Sequence, residues 1–384
     1  MAWQPNDGAP RILRHRRGVM MRRRSLLIGG GLGALALGGA AWAGWQRRRA
    51  AADMSDYAAG LRAPLPVPAT SRDLIRYATL AANGHNTQPW LFRPDAQGID
   101  ILPDFTRRTP VVDPDDHHLF ASLGCAAENL ALAARARGQS GEIAFDPEGG
   151  GKLRVDLRSA PVVDTPLFDA IPLRQSTRSD YDGSAVSAAD LSQLATAAAV
   201  EGVDLILITE RGQIEQLRDI VIAGNSAQMA DPAFVAELMH WLRFNPAAAM
   251  TPGDGLYSAA SGNPALPDWL APRLFDMVFT ARAENAKYAR QIATSSGVAV
   301  FVSAQDEPEH WVQAGRACQR FSLQATALGL KTAYINQPVE VSALRADLAA
   351  LVGLPGRRPD IVMRFGRAPA MPMSARRSVE AVMV

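Results

Sequence analysis

The sequence predicts an α+β protein whose single chain holds two related halves. Three observations lead there. Two segments align without gaps at an offset of 191 residues, GCAAENLALAARARG from 124 and GRACQRFSLQATALG from 315. Gly124/Gly315, Ala126/Ala317, Leu132/Leu323, Ala134/Ala325, Ala136/Ala327 and Gly138/Gly329 are identical pairs. Both segments read as amphipathic helices with small residues on one face and a glycine stop. Around each, short β-rich runs are interspersed with helical patterns. Finally, a Pro-punctuated stretch without clear helical spacing, 158–172, marks the join. The repeat reads as a duplication rather than a coincidence of Ala-rich composition.

The N-terminus stands apart. Residues 1–52 hold ten Arg and one acid, Asp7, a charge of +9, while the other 332 residues carry 30 Lys+Arg against 37 Asp+Glu, or −7. The folded part is therefore mildly acidic, which speaks against nucleic acid as a partner. Arg23-Arg24-Ser25-Leu26-Leu27 matches the twin-arginine export pattern, and Ala41-Trp42-Ala43 offers a small-x-small cleavage site. The expectation is export through the twin-arginine translocase, to the periplasm. If the 21 uncharged residues from Ser25 to Trp45 stay as an anchor, the protein would sit on the outer face of the inner membrane. Cleavage stays open, as does a start at Met20 or Met21. Gly29 to Gly39 belong to this segment and are set aside as a nucleotide loop. This export route serves mainly proteins that take up a cofactor before crossing, so the signal raises the expectation of one.

The first half is taken as residues 53–165. Leu74, Ile75, Ala78 and Ala81 form one stripe of a helix over 71–83, which Gly84 stops and Pro89 bars from continuing. Runs at 90–93 and 99–102 flank an Asp/Gly turn and read as a hairpin. Between helix and hairpin lies NGHNTQPW, 83–90, with three side-chain amides in eight residues. It is either a capping turn or a loop presenting amides to a flat polar ligand. A long helix over 116–137 follows Pro114. Asp115-Asp116-His117-His118 at its start invites a metal, but acidic residues suit a helix N-terminus, and that reading is preferred; no metal is expected. A strand over 153–157 closes this half.

The second half, 166–384, opens with IPLRQSTRSDY. Arg174, Ser176 and Arg178 at alternate positions can face one phosphate, or form an exposed basic turn. Only three lysines occur, Lys152, Lys287 and Lys331, so an anion site would rest on arginine forks. Helices are expected over 188–199, 211–223, 232–242, 312–328 and 341–351, and strands over 203–208, 298–303, 332–336 and 361–366. Residues 245–269 are Pro/Gly/Ser-rich and too long for a simple connection, which suggests a lid or disorder. The closing RFGRAPAMPMSARRSVEAV adds Arg367, Arg376 and Arg377. Cys125 and Cys318 read as buried small hydrophobes rather than a disulfide. No P-loop, nucleophile elbow, zinc spacing or Rossmann fingerprint occurs in the folded part.

Together these segments resemble the nitroreductase superfamily over roughly 70–384, and within it the duplicated Acg-type FMN-binding oxidoreductases. The resemblance implies a nitroreductase-like fold, its two related halves forming an intramolecular pseudo-dimer, with FMN as cofactor. Its Arg-x-Ser-x-Arg motif and C-terminal Arg would hold the phosphate, here Arg174, Ser176 and Arg178 with Arg376 and Arg377. Its Ser-x-x-Asn-x-Gln-Pro-Trp motif meets the flavin; here Asn83 replaces the Ser, Asn86 and Gln88 would hydrogen-bond the ring, and Pro89 and Trp90 would fix the loop. The amide loop occurs only in the first half and the arginine motif only in the second, so one site per monomer is implied, built from both halves. The implied activity is hydride transfer through flavin N5 to nitroaromatics, quinones or similar planar acceptors, with no side-chain acid or nucleophile required. A cation near N1 would have to be an Arg or Lys331. The donor would be NAD(P)H or another reductant, since nicotinamides are not expected outside the cytoplasm. The alternatives are an FMN-sequestering protein closed by the 245–269 loop, and an FMN-free structural relic.

Overall fold

Each half is organised on a four-stranded antiparallel sheet. The first contains β1 (Trp90–Pro94), β2 (Gly98–Pro103), β3 (Ile143–Asp146) and β4 (Lys152–Asp156), in the order β1-β2-β4-β3. The second starts with β5 (Val203–Ile208). After it comes a two-residue parallel pair, β6 (Leu242–Arg243) and β7 (Leu256–Tyr257), and then β8 (Gly297–Ser303), β9 (Lys331–Tyr334) and β10 (Ile361–Gly366). Its order is β5-β8-β10-β9. Replacing β1, β2, β3 and β4 by β5, β8, β9 and β10 converts one order into the other. In both halves one long helix lies between the second and third of these strands, His117–Arg135 in the first and Pro308–Ala327 in the second. The halves thus share one topology. The computed structural model describes residues 44–46, 48–263, 265–267, 269–270, 273 and 279–384, so the expected export signal lies outside the described residues. Residues 50–384 make one compact unit. Among the described residues no helix is long and apolar enough to cross a membrane.

The two long helices cross at their repeated glycines. A Cβ on Gly124 would stand 2.1 Å from the Val312 carbonyl oxygen, and one on Gly315 would stand 1.9 Å from that of Ala121. Residues 121 and 312 are 191 apart, as are 124 and 315, so exchanging the halves maps each contact onto the other. A turn further on, Gln319 Nε2 donates to Asn129 Oδ1 at 2.8 Å. Its exchange-related counterpart is an ion pair, Arg320 Nη1 to the fully buried Glu128 Oε1 at 2.9 Å, which Arg316 Nε joins at 3.0 Å. At the crossing point the glycines leave no side chain between the helices, which is what allows the backbones to touch.

Most expected elements form with end shifts of a few residues. The helix expected over 71–83 stops at Thr79, because Arg376 from the far end of the chain takes up the carbonyls of Thr79, Leu80 and Ala81. The helix over 211–223 runs on to Ala230. A helix over 48–61, β3, and the helix Ala281–Ala293 were not expected. The join contains a short helix, Pro166–Ala170, capped by Thr165. Within 245–269 lie another, Pro246–Met250, and β7. The halves also interleave. Met383 bridges Phe92 on β1, with Phe92 N donating to Val382 O at 2.7 Å, and Ser176 bridges Thr332 on β9.

Candidate cofactor site

The amide loop adopts a conformation that its residues do not choose alone. His85, Asn86 and Gln88 all have positive φ, at 46°, 56° and 54°. Asn and His tolerate this region better than most residues, whereas Gln needs its surroundings to impose it. The imposition comes from the amides themselves. Asn86 Nδ2 donates to Gly255 O at 3.0 Å and Ala375 O at 3.2 Å, and its Oδ1 accepts from Arg376 Nη1 at 2.9 Å. Gln88 Nε2 donates to Gly253 O at 2.8 Å, and its Oε1 accepts from Arg377 N at 2.8 Å. Gly253 has φ +68° and would drive a Cβ to 2.4 Å from Arg376 O, so only glycine fits. The two amides therefore stitch the 83–90 loop to the long loop and to the C-terminal tail. Trp90 is fully buried on β1 beside Phe92. Asn86 reaches a cavity wall; Gln88, Pro89 and Trp90 stand behind it and reach neither cavity described below.

Next to the loop is a cavity of about 40 Å³, walled by Arg62, Asn86, Arg174, Ser176, Arg178 and Arg376 among others, with no carboxylate among its described lining residues. Arg174 is 5% exposed. It spends one bond on Leu80 O, from Nη2 at 3.3 Å, while its Nε and Nη1 have no partner. Arg62, at the end of the 48–61 helix, donates to Ala58 O and Ser374 O, and its Nε is also bare. Burial, with the charge of Arg174 adding, pushes the Arg62 guanidinium down to about 10. Burial, then Arg62 and Arg174, holds Arg376 well below the ordinary arginine range, and burial lowers Arg178. Four crowded guanidiniums, two of them with bare nitrogens, form a site for a polyanion. Arg376 supplies charge rather than free donors, since its N–H groups are spent on helix-end carbonyls and Asn86. Arg377 lies outside both cavity walls, donating to Gln88 O and Ala381 O and standing 3.6 Å from Asp104.

The arginine segment is held from behind. Gln175 brackets Met371 through both its N–H and its carbonyl, and Arg364, fully buried on β10, donates to Thr177 O and Ser179 O while stacking 4.0 Å over the Tyr181 ring. Sequence reasoning missed Arg62 and Arg364. Neither belongs to a local pattern; both matter through contacts made far along the chain.

Arg178, Asn83, Ala82 and Leu256 are shared with a second cavity of about 220 Å³. Its walls mix apolar surface, such as Val112 and Leu238, with amides such as Asn225 and Gln337. Such mixed, concave surfaces suit a flat ligand with a polar edge. The long loop supplies Leu256, Ser261 and Asn263 to this wall. It is pinned by buried Asp254, which pairs with Arg243 at 2.6 Å and with Arg107, both guanidiniums lying over Trp241. Lys331 is in neither wall, so Arg178 is the cation at the junction. His85 lines the larger cavity, and burial, with Arg178 next, drops its imidazole to about 4.

The sequence pattern of the Nitroreductase family matches residues 171–367, just over half of the chain. The chain belongs to the nitroreductase family. It is similar to two proteins of Mycobacterium tuberculosis H37Rv, both named as candidate NAD(P)H nitroreductases. Rv3131 is 26% identical over 344 residues, covering 84% of this chain and 94% of that one. Acg is 24% identical over 325 residues, covering 81% and 94%. Among solved structures, a nitroreductase with bound FMN from Desulfitobacterium hafniense DCB-2 aligns at 16% identity with a TM-score of 0.36, over 56% of this chain and 95% of that one.

Proposed function

We propose that this protein is an FMN-dependent oxidoreductase of the nitroreductase type, reducing nitroaromatics, quinones or similar planar acceptors. One observation carries the reading: the buried Arg174, with two bare nitrogens, sits in an arginine pocket that has no carboxylate among its described lining residues and shares wall residues with the larger cavity. A phosphate monoester fits the pocket, and a flat ring system fits the cavity beyond it. Bound FMN would supply hydride acceptance and transfer at N5. Arg62, Arg174, Ser176 and Arg178 would hold the phosphate, with Asn86 and Arg376 shaping the wall. Arg178, present in both walls, offers positive charge toward the ring end, which favours reduced anionic flavin. Leu256, Ser261 and Asn263 of the long loop would line that side of the ring.

The site draws on both halves, which supports a monomer derived by internal duplication. The names of the two mycobacterial relatives favour NAD(P)H as donor, while the N-terminal arginines favour export by the twin-arginine translocase to the periplasm or the outer face of the inner membrane. A second reading, FMN sequestration, is favoured by the Asp254 anchor that ties the long loop across the cavity. An anaerobic visible spectrum of the full chain, recorded before and after adding NADPH or NADH, separates these readings. Flavin that bleaches and reoxidises with a quinone supports the reductase. Flavin that stays oxidised with both nucleotides supports sequestration or another donor. Protein that takes up no FMN on reconstitution overturns the cofactor assignment.

A further inference from the structure

The start of the first central helix gathers a second set of chemistry-bearing side chains, which the flavin reading leaves unused. Asp113, His117 and His118 each offer one ligand atom, and these atoms lie within 4.8 Å of one another. Local geometry brings them together. The two oxygens of buried Asp113 accept the N–H groups of His118 at 2.9 Å and Leu119 at 3.0 Å, folding the 113–116 turn back against the imidazoles. Asp116 makes the turn possible with a left-handed backbone, φ 61°. The neighbouring acids are committed elsewhere, Asp115 to Arg358 and Asp116 to Arg108.

His117 is what turns a helix start into a site. It is fully buried, with Trp311 edge-on at 5.3 Å, and its Nε2 lies 2.9 Å from Asp360 Oδ1. Asp360 is equally buried and accepts from Ser303 N through its other oxygen. With Nε2–H donating to that carboxylate, Nδ1 is the nitrogen left to act as a ligand, and that buried Nδ1 has no partner. Nε2 of His118 is likewise buried and unpartnered. A buried polar atom left unsatisfied is destabilising, and here two stand in one cluster. A carboxylate behind an imidazole is also the arrangement that orients metal-ligating histidines.

We propose that Asp113, His117 and His118 bind one divalent transition-metal ion of zinc-like preference. Two neutral imidazoles and a carboxylate suit such an ion, whereas magnesium or calcium would demand an all-oxygen shell. His118 also lines the larger cavity, so the fourth position of a tetrahedral ion opens toward it. An ion there places a positive centre on the cavity edge, able to hold an oxygen donor of an incoming ligand. The assignment does not depend on the flavin reading.

The test is a titration of chelator-treated full-length protein with Co²⁺, followed by its visible d–d absorbance and then by competition with Zn²⁺. One saturable equivalent per chain is expected, displaced by Zn²⁺. His118→Gln should weaken binding by roughly 100-fold or more, while His240→Gln, at a histidine outside the cluster, should leave it unchanged. Zn²⁺ should raise the melting temperature of the unmodified protein and not of His118→Gln, a comparison that holds even if the variant is less stable. Absence of saturable Co²⁺ absorbance, or an unaltered titration in His118→Gln, would overturn the proposal.

Discussion

Arg174 is buried and has two bare nitrogens facing a pocket of other guanidiniums, an arrangement that an anion would complete. Arg174→Ala should therefore weaken FMN binding by roughly 100-fold in a fluorescence-quenching titration. Arg174→Lys should recover only part of the loss, because an ammonium cannot present the fork. His85 makes a different prediction, about pH. Its folded imidazole protonates near 4, against about 6.5 in an unfolded chain. Above pH 6.5 both states are neutral and His85 contributes nothing. Between 6.5 and 4 protons bind the unfolded chain preferentially, so stability falls as pH falls. In flavin-free protein, urea unfolding at pH 7 and at pH 4.5 should show a loss roughly 2 kcal/mol larger than in His85→Gln. An equal loss in both would mean that His85 is free to protonate in the folded loop.

Two elements dominate the next scale, the helix crossing and the pinned loop. The Gly124 and Gly315 contacts press backbone on backbone, so an added methyl cannot be absorbed by a rotamer change. Gly124→Ala and Gly315→Ala should each cost about 3 kcal/mol or more in urea unfolding, and by similar amounts, since exchange of the halves relates the two contacts. Asp254→Asn would leave Arg107 and Arg243 facing an amide and release the long loop. If the loop gates an enzyme, FMN release should accelerate about tenfold and quinone turnover rise with it; faster release without turnover would mark a sequestering lid. The two central helices were legible in the sequence because a repeated segment leaves its mark at a fixed offset; that they cross on each other was not. The strands of strong β composition were legible too, β5 and β10 with the same limits. The short, part-exposed β3 was not, nor was the polar helix Ala281–Ala293, whose sequence shows only a faint apolar stripe. In the amide loop the residue types were visible but not the partners. Asn86 and Gln88 bond to Gly253, Gly255, Ala375 and Arg377, each more than 160 residues away, and no local pattern encodes such a contact.

At the scale of the whole molecule, the shared sheet order and helix crossing make each half the other's partner, while the site respects no such symmetry. The arginine cavity draws on the end of the 48–61 helix, the amide loop before β1, the segment after the join and the C-terminal tail. The stretch that precedes β5, AAAVEG, occupies the place that NGHNTQPW holds before β1 and brings no amide or arginine. Among the described residues the second position of the pseudo-dimer thus has the fold without the chemistry. A chain that carries both halves also has no need of a second copy to cover its central helices, which are already buried against each other. The full chain should therefore run as a 41.1 kDa monomer in light scattering and saturate at one FMN. Two flavins per chain would mean that the degenerate position still binds. Twice the mass, with flavin uptake lost on dilution to the monomer, would mean that the site is completed between chains instead of within one.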